Sequence, residues 1–505
     1  MSMVSLTRRP ALPSFEAINP LLVGGSALIV YLCTLAPGLT WANNGADGGD
    51  LIAAATTGGV AHPSGYPTYL LLARLFLAVP ANSPGWRVNL LSALCAALAA
   101  ALVTRLVSQC SAAPRRFAVA GGCIAGLAFA VSPVLWSQAV IAEVYTLHSL
   151  FIGLILLSLP LGGPAEARPD KSWQDYLAGA VLGLALGNHL TTLLLLPPWL
   201  LFSARGQGRW QPQRLLRRLG ALAAGLLIYL YLPLSAGRHP AVNWGLPVNW
   251  DGFWWVVSGA PYRALAFGLP SGFVLNRVEG WAGLIIAQFG LVGMVVAFYG
   301  LFFGQANHVR VKAITGWVVV VFSIFAIGYN TADSYAYLLP AFLAMAVWLG
   351  LGCATALASL EQYRARRPVQ LALLAGLLVT LGYGAARQWP QVDASRDRAA
   401  EDFGMALMRQ APPNSLIFTH ADKDTFAAWY FHLALGQRPD VTVIVEPLLE
   451  FDWYRINLSA SEPRLVVPAR PAPSWRQTIL AANARPVCDA QYAADQPALN
   501  CPGAR

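Results

Sequence analysis

Long apolar runs separated by short polar segments fill the first three quarters of the chain. About 20 helical residues cross a hydrocarbon core about 30 Å thick, and eleven runs approach that length. The least regular are the two around 174–204, where Asn188 and His189 interrupt a hairpin or a re-entrant pair. The candidate spans are 20–36, 88–108, 117–134, 141–160, 174–187, 190–204, 219–235, 280–304, 313–329, 335–357 and 369–386. This pattern predicts an α-helical polytopic membrane protein with about eleven transmembrane helices.

The end of the chain follows a different pattern. Leu416–Thr419 and Val441–Val445 are short β-branched and aromatic runs typical of buried strands. Residues 424–436 between them favour a helix, which Gly436 could end. We therefore predict a transmembrane module over 1–386 and a small α/β domain over 387–505.

Composition agrees with this division of the chain. Hydrophobic residues make up 56% of the chain and charged residues 11%, whereas soluble proteins average about 45–50% and about 25%. The first 386 residues carry 33 charged side chains and the last 119 carry 25. These values exclude a soluble multidomain enzyme, a disordered protein and a basic nucleic-acid binder.

Basic residues are distributed unevenly among the predicted loops. With the N-terminus inside, the cytoplasmic segments carry sixteen of them: Arg8, Arg9, Arg115, Arg116, Arg168, Lys171, Arg205, Arg209, Arg214, Arg217, Arg218, Arg310, Lys312, Arg364, Arg366 and Arg367. The opposite loops carry five: Arg74, Arg87, Arg238, Arg263 and Arg277. Basic residues favour the cytoplasmic side, and an odd number of spans then places 387–505 outside. We expect a multi-pass protein of the cytoplasmic (inner) membrane with an extracytoplasmic C-terminal domain.

The first span has a second interpretation. Arg8 and Arg9 before an apolar run also fit a cleaved signal peptide, but no clear small-x-small cleavage site follows, which favours a retained helix.

Two cysteines of the C-terminal domain are candidates for a disulfide. Cys488 and Cys501 lie in the C-terminal domain and could pair if it faces an oxidising compartment.

Two of the predicted outer loops are long, 37–87 and 236–279. The first contains Asp47-Gly48-Gly49-Asp50, and an apolar helix follows at once. Carboxylates close to hydrocarbon are costly to desolvate, so a functional role is their default interpretation. For Asp50, capping of that helix is an equally good explanation. Asp47 is free in the turn, and this position favours a catalytic role.

Further polar side chains lie in this loop or at other outer helix ends. His62 and Tyr66 lie in a stiff turn rich in proline and glycine. The rest are Glu143, Tyr145, His148, Asn188, His189, Asp333 and Tyr337. Trp244, in the second loop, has three alternative interpretations. It anchors the loop at the membrane interface, stacks on a sugar ring, or borders a groove for a lipid tail. Because polar groups from several separate segments lie at one membrane face, we predict that they converge in one site.

These motifs resemble the family of the transmembrane protein 260 type of protein O-mannosyltransferase, and more specifically its bacterial members. The segments that carry the resemblance are Asp47–Asp50, His62–Pro67, Glu143–Tyr145, Asn188–Thr191, Asn243–Gly245, Asp333 with Tyr337 and Pro340, and Arg438–Val441. The family pattern is Asp-Ser-Gly-Glu, so Asp50 is one methylene shorter than its counterpart.

The resemblance implies a GT-C glycosyltransferase. Such an enzyme moves a sugar such as mannose from a polyprenyl-phosphate carrier to a protein or glycan hydroxyl, with inversion, at the outer membrane face. A carboxylate can take the proton from the attacking hydroxyl, and we assign Asp47 as base and Asp50 as a second acid that orients the acceptor or a metal. Four side chains are candidates to stabilise the leaving phosphate: His62, His189, Arg238 and Arg263. A divalent metal is compatible with these acids, and no nucleic acid is expected as a partner.

Two other classes remain alternatives. A secondary transporter or lipid flippase also uses buried carboxylates, but it is expected to carry them in mid-helix and to show repeated halves. A structural membrane protein would not need this many polar groups near the outer surface.

Overall fold

The computed structural model describes residues 15–159, 172–206, 209–307, 309–470, 473–492 and 498–502. Four of the basic residues that orient the predicted spans, Arg8, Arg9, Arg168 and Lys171, lie outside the described residues.

The described chain is mostly helical. Sixteen α-helices precede the C-terminal part: α1 (Phe15–Thr34), α2 (Gly48–Thr57), α3 (Pro67–Leu77), α4 (Pro84–Cys110), α5 (Arg115–Ala130), α6 (Pro133–Ala139), α7 (Tyr145–Ser158), α8 (Ser172–Leu186), α9 (Leu196–Ser203), α10 (Pro212–Leu226), α11 (Tyr231–Ala236), α12 (Trp250–Val257), α13 (Val274–Phe303), α14 (Val309–Gly328), α15 (Leu339–Ser359) and α16 (Arg366–Val392). A two-stranded ribbon, β1 (Arg205–Gly206) and β2 (Arg209–Trp210), lies between α9 and α10.

Helices cover the eleven apolar runs, but they differ in length. Six helical segments of the described chain are long and apolar enough to cross a membrane, or seven if the pair α5 and α6, bent by 63°, counts as one span. The other apolar helices are shorter. The number eleven therefore stays a prediction.

Helices α4 and α15 form the centre of the bundle. Helix α4 packs against α1, α5 and α7, and α15 packs against α5, α13 and α14. Close approach between α5 and α15 requires glycine, because a Cβ on Gly121 would lie 2.3 Å from the carbonyl oxygen of Gly350. By contrast, α16 is almost entirely exposed, as expected for a helix whose neighbour is lipid.

The C-terminal residues fold around a four-stranded sheet. Helices α17 (Ala399–Gln410), α18 (Asp422–Trp429), α19 (Asp452–Ser461) and α20 (Trp475–Ala482) accompany strands β3 (Leu416–Thr419), β4 (Thr442–Val445), β5 (Val487–Ala490) and β6 (Leu499–Asn500). The strand order is β4-β3-β5-β6, with β6 antiparallel to its neighbour and the other pairs parallel. We call these residues the α/β unit. The two strands predicted from sequence are confirmed, and Cys488 forms a disulfide with Cys501.

The end of α16 and the segment that leads into α17 are joined to the first outer loop by hydrogen bonds. Asp397 accepts hydrogen bonds from the backbone N–H groups of Trp41 and Ala42, both at 3.1 Å, and from the Thr40 hydroxyl. The Asn43 amide donates to the carbonyl of Val392 at 2.9 Å. These contacts fix the segment that leads into Asp47.

Candidate active site

The first outer loop turns sharply before it presents its acids. Asn43 and Asn44 have φ angles of 55° and 63°, and asparagine is one of the few residues that tolerate this left-handed region. Both lie inside the 3₁₀ segment Ala42–Asp47, and α2 begins directly after it. Asp47 and Asp50, three residues apart, therefore lie on neighbouring faces of one helix start.

Asp50 is completely buried and both of its carboxylate oxygens are engaged. Oδ2 accepts a hydrogen bond from the backbone N–H of His62 at 2.9 Å and lies 2.6 Å from Nδ1 of the same residue. Oδ1 accepts a hydrogen bond from Nε1 of Trp244 at 3.0 Å. Asp50 thus fixes the imidazole and ties the two long outer loops together. Its burial leaves it no surface with which to touch an acceptor.

Asp47 lies on the other side of the imidazole. Its Oδ2 atom is 3.7 Å from Nε2 of His62, and 40% of its side chain is exposed. The two acids therefore differ in environment: Asp50 is locked by hydrogen bonds, whereas Asp47 remains accessible.

The charges of this trio influence one another. Burial raises the pKa of Asp47 to about 6, although the positive charge of His62 acts in the opposite direction. Burial alone would lower the pKa of His62, but the charge of Asp47 and the hydrogen bond to Asp50 outweigh it and raise the pKa to about 9. At neutral pH the site therefore holds an imidazolium beside an ionised Asp47.

Aromatic rings surround the imidazole. The centroid of the Tyr66 ring lies 5.0 Å from that of His62, edge to face, and that of Trp244 lies 6.4 Å away. Of the residues selected from sequence, the structure thus brings Asp47, Asp50, His62, Tyr66 and Trp244 together.

A second group lies at the start of α7. Tyr145 contacts His189 and Tyr337, with centroids 5.6 and 5.7 Å away, and His148 lies 4.8 Å from His189. The Thr191 hydroxyl lies within hydrogen-bonding distance of both imidazoles, 3.2 Å from Nε2 of His148 and 2.7 Å from Nδ1 of His189. Electrostatic interactions of Tyr145 and Tyr337 with Tyr66 connect this group to the first one.

Three more predicted residues lie between or beside these groups. Glu143 is buried, and the charges of Asp47 and His62 act on it. The charge of Asp333 also acts on Asp47. Asn188 is buried and donates a hydrogen bond to the carbonyl of Val144 at 3.2 Å, so it holds the chain next to Glu143.

The two predicted arginines lie elsewhere. Arg238 and Arg263 are both exposed, and the Arg263 guanidinium donates to the hydroxyl of Ser258. The structure therefore joins neither of them to the group around Asp47 in the described chain, and their role in binding phosphate stays a prediction.

The α/β unit supplies residues that the sequence analysis missed. The Phe426 ring lies 6.4 Å from that of His62 at an angle of 20°, and Trp429 and Trp453 both contact Trp244. A Cβ on Gly49 would lie 2.3 Å from the carbonyl oxygen of Phe426, so α18 packs directly on the start of α2. The available signal was the polar segment that follows β3, since side chains at the carboxyl ends of parallel strands tend to line sites.

A largely apolar cavity of about 590 Å³ lies between the N-terminal end of α13 and the C-terminal end of α14. Its lining includes Trp281, Leu284 and Arg277, and also Tyr335, whose hydroxyl accepts a hydrogen bond from the Asn44 amide at 3.0 Å. The cavity is thus connected to the loop that carries Asp47.

Metal-ligand geometry occurs at a different place. Among the described residues, the group of three that could hold an ion is His420, Glu446 and Asp489 in the α/β unit. Arg476 already forms ion pairs with both of these carboxylates, at 2.6 and 2.7 Å. Arg476 therefore offsets one of the two carboxylate charges, and the group around Asp47 has His62 as its cation.

Two regions of the chain match known family models. Residues 47–210 match the family model described as the Protein O-mannosyl-transferase TMEM260 N-terminal domain, and residues 400–462 match TMEM260-associated domain 2. Over these two regions the chain is similar to the TMEM260-related family. The two matched regions contain Asp47 and Phe426, which meet at His62.

Two curated relatives carry the same name. The chain is 27% identical over 480 residues to Protein O-mannosyl-transferase TMEM260 from Mus musculus, which covers 88% of this chain and 65% of the relative. It is 21% identical over 516 residues to Protein O-mannosyl-transferase tmem260 from Dictyostelium discoideum. That match covers 88% of this chain and 59% of the relative. The chain thus spans less than two thirds of the length of these relatives.

Solved structures show the fold. ArnT from Cupriavidus metallidurans in the apo state aligns with a TM-score of 0.59 at 14% identity, over 93% of this chain and 92% of that one. The same protein bound to undecaprenyl phosphate aligns with a TM-score of 0.58. The archaeal oligosaccharyltransferase AglB from Archaeoglobus fulgidus, in complex with an inhibitory peptide and a dolichol-phosphate, gives 0.51 at 12% identity, over 95% and 70%. The described chain therefore has the fold of ArnT and AglB.

Proposed function

We propose that this protein is a membrane-embedded glycosyltransferase. It moves a sugar, with mannose as the first candidate, from a polyprenyl-phosphate carrier to a serine or threonine hydroxyl of a protein. The observation that carries the proposal is the accessible Asp47 carboxylate, 3.7 Å from an imidazole that a buried acid holds in place.

Asp47 has the properties of a general base. Its pKa of about 6 leaves it ionised at neutral pH while keeping it basic enough to accept a proton. The acceptor hydroxyl oxygen attacks the anomeric carbon and forms the new C–O bond as its proton passes to Asp47. The bond from that carbon to the carrier phosphate breaks, and the phosphate leaves with the electron pair. One displacement of this kind inverts the anomeric centre.

His62 supplies positive charge to this step. With its pKa of about 9 it is an imidazolium at neutral pH, and a fixed cation stabilises negative charge that develops on a leaving phosphate. Asp50 and Trp244 act through His62: they hold the ring so that it does not need to reorganise during the reaction.

The lipid carrier has a candidate location in the apolar cavity lined by Trp281, Leu284 and Arg277. An apolar chain gains free energy on leaving water for such a surface, and Arg277 could pair with phosphate at its edge. ArnT, which shares the fold, has been solved with undecaprenyl phosphate. This supports a polyprenyl-phosphate donor for the present protein.

We place the site at the outer face of the membrane, with the α/β unit on the same side. The disulfide between Cys488 and Cys501 supports this, since such bonds persist in oxidising compartments. The distribution of basic residues between the loops supports a cytoplasmic N-terminus.

The proposal is tested with purified protein in nanodiscs, a polyprenyl-phosphate mannose and a Ser/Thr peptide. Asp47→Asn should lower kcat by about 10²–10⁴-fold, the usual contribution of a general base. Asp251→Asn, which changes an exposed outer-face acid in α12, should leave kcat unchanged. Full turnover by Asp47→Asn would remove Asp47 as the base. Carrier-lipid flux through liposomes without any sugar transfer would favour a flippase instead.

A further inference from the structure

The first turn of α18 lies against the first outer loop. Phe426, one turn into the helix, meets Gly49 and stacks over His62. Lys423 places its ammonium 5.4 Å from the ring centroid of Trp41 and 5.2 Å from that of Tyr492. Asp422 lies at the beginning of this turn and therefore at the border between the α/β unit and the Asp47 loop.

Two aspartates in this turn have different environments. Asp424 is buried and accepts hydrogen bonds from the backbone N–H groups of His420 and Ala421, at 2.8 and 2.9 Å. It therefore caps the helix. Asp422 is exposed and makes neither a hydrogen bond nor an ion pair within the described part of the chain. Hydrogen bonds to the helix start thus engage Asp424, whereas Asp422 interacts with the helix through its dipole.

The charge of Asp422 reaches the centre of the site. Its negative charge raises the pKa of Asp47, and the charge of His62 acts on Asp422 in turn. Asp333 also acts on Asp47. The accessible side of the site thus carries acids from three distant parts of the chain, while its one imidazolium, His62, is already flanked by Asp47 and Asp50.

We propose that Asp422 positions the acceptor and gives the enzyme a preference for peptides with a basic residue beside the modified serine or threonine. This inference rests on the proposed function, which identifies the acceptor as a peptide. An exposed carboxylate in the first turn of α18, the helix that packs on the Ala42–Asp47 segment, can pair with a lysine or arginine of the peptide. Such complementary charge contributes mainly to specificity. A glutamate at the same peptide position would be repelled by both Asp422 and Asp47.

Asp422 is a positioning residue here, because it contacts the acceptor away from the reacting atoms. Removing its charge should therefore change peptide affinity and leave the chemical step intact. Among the described residues Lys423 forms no ion pair with Asp422, because its ammonium lies over the rings of Trp41 and Tyr492.

Binding is measured first, because it does not depend on turnover. Full-length protein in nanodiscs is titrated with two fluorescent Ser/Thr peptides, one with lysine and one with glutamate beside the hydroxyl residue. For the lysine peptide, Asp422→Asn should raise Kd by about five- to ten-fold, and the glutamate peptide should bind the variant equally or more tightly. The matched control is Asp402→Asn, which also removes an exposed acid from the first turn of a helix in the α/β unit. It should leave both Kd values unchanged.

Equal affinity of the wild-type protein for the two peptides would overturn the inference, as would equal losses in Asp422→Asn and Asp402→Asn. Selective loss of binding to an acceptor glycan instead would reassign Asp422 to a sugar. Transfer kinetics provide a second test, in which Asp422→Asn should raise KM for the lysine peptide by a similar factor and keep kcat within about two-fold. Peptide selectivity without any transfer would contradict the proposed function while leaving Asp422 as a peptide-binding residue.

Discussion

The Nδ1 atom of His62 lies 2.6 Å from a carboxylate oxygen of Asp50, and the Nε2 atom of the same ring lies 3.7 Å from Asp47. One imidazole thus bridges a buried acid and an accessible one. Because the two acids are only three residues apart, their different environments come from the tertiary packing around α2. Because Asp50 is buried and hydrogen-bonded, it holds His62 in place, whereas the accessible Asp47 is free to accept a proton.

Asp50→Asn should lower kcat about 10²-fold, because His62 loses the anchor that holds its ring and a small misplacement has an effect of that size. An asparagine amide also places a donor opposite the N–H groups of His62 or Trp244. We therefore expect the free energy of unfolding to fall by about 1–3 kcal/mol. Both effects are measured in the transfer assay and by thermal unfolding in detergent. A variant with normal kcat would show that His62 does not need this anchor.

The rate of transfer should depend on pH in a bell-shaped manner. Asp47 must be ionised, so activity should be lost as the pH falls through about 6. His62 must be protonated, so activity should also decline as the pH rises through about 9. In His62→Gln the upper limb should disappear. The lower limb should move above pH 6, because the cation that lowers the pKa of Asp47 is gone. An unchanged lower limb in this variant would contradict the coupling of the two groups.

Gly49→Ala should separate α18 from α2, because the new Cβ would lie 2.3 Å from the Phe426 carbonyl oxygen. Overpacking against backbone costs about 1–3 kcal/mol, and the site should lose activity as Phe426 moves away from His62. Gly384→Ala is the control, since it changes a glycine within α16 that has open space around its Cβ position. That variant should be as stable as the wild type or slightly more stable. Melting curves and transfer rates of the two variants provide the comparison.

The disulfide between Cys488 and Cys501 should stabilise the α/β unit. It closes a short loop of 13 residues between β5 and the end of the chain, and a loop of that size contributes about 3 kcal/mol in chain-entropy terms. The double variant Cys488→Ser with Cys501→Ser should lower the melting temperature and increase protease cleavage within 399–500. Cys33→Ser, which changes a free exposed cysteine of α1, should do neither. Two thiols reactive to alkylation in the native C-terminal part would argue against the bond.

Much of the local structure follows from the sequence. Strands Leu416–Thr419 and Thr442–Val445 lie where the apolar runs predict them, and a helix begins between them at Asp422, two residues before the predicted start. Apolar length likewise locates the long helices α4, α13 and α15, although the break at Gly290 inside α13 has no signal in hydropathy. Secondary structure of this kind depends on residues within one or two turns along the chain. The pattern of apolar and polar residues in the sequence therefore predicts it.

Only part of the site could be predicted from the pattern of apolar and polar residues. Polar groups at an apolar boundary stand out, which is how Asp47, His62 and Trp244 were found. Asp422 and Phe426 did not stand out, because they lie in a stretch of ordinary soluble composition. Their proximity to His62 depends on how α18 packs against α2, nearly four hundred residues away along the chain.

The sequence by itself determined that this protein has an apolar helical bundle, a small α/β unit and acids at one boundary, since each follows from local composition and periodicity. Only the tertiary structure decided that Asp50 is locked and Asp47 accessible, and that α18 of the α/β unit forms one wall of the site. Burial, hydrogen-bond partners and electrostatic fields depend on contacts between distant segments. Those contacts form only when the whole chain packs.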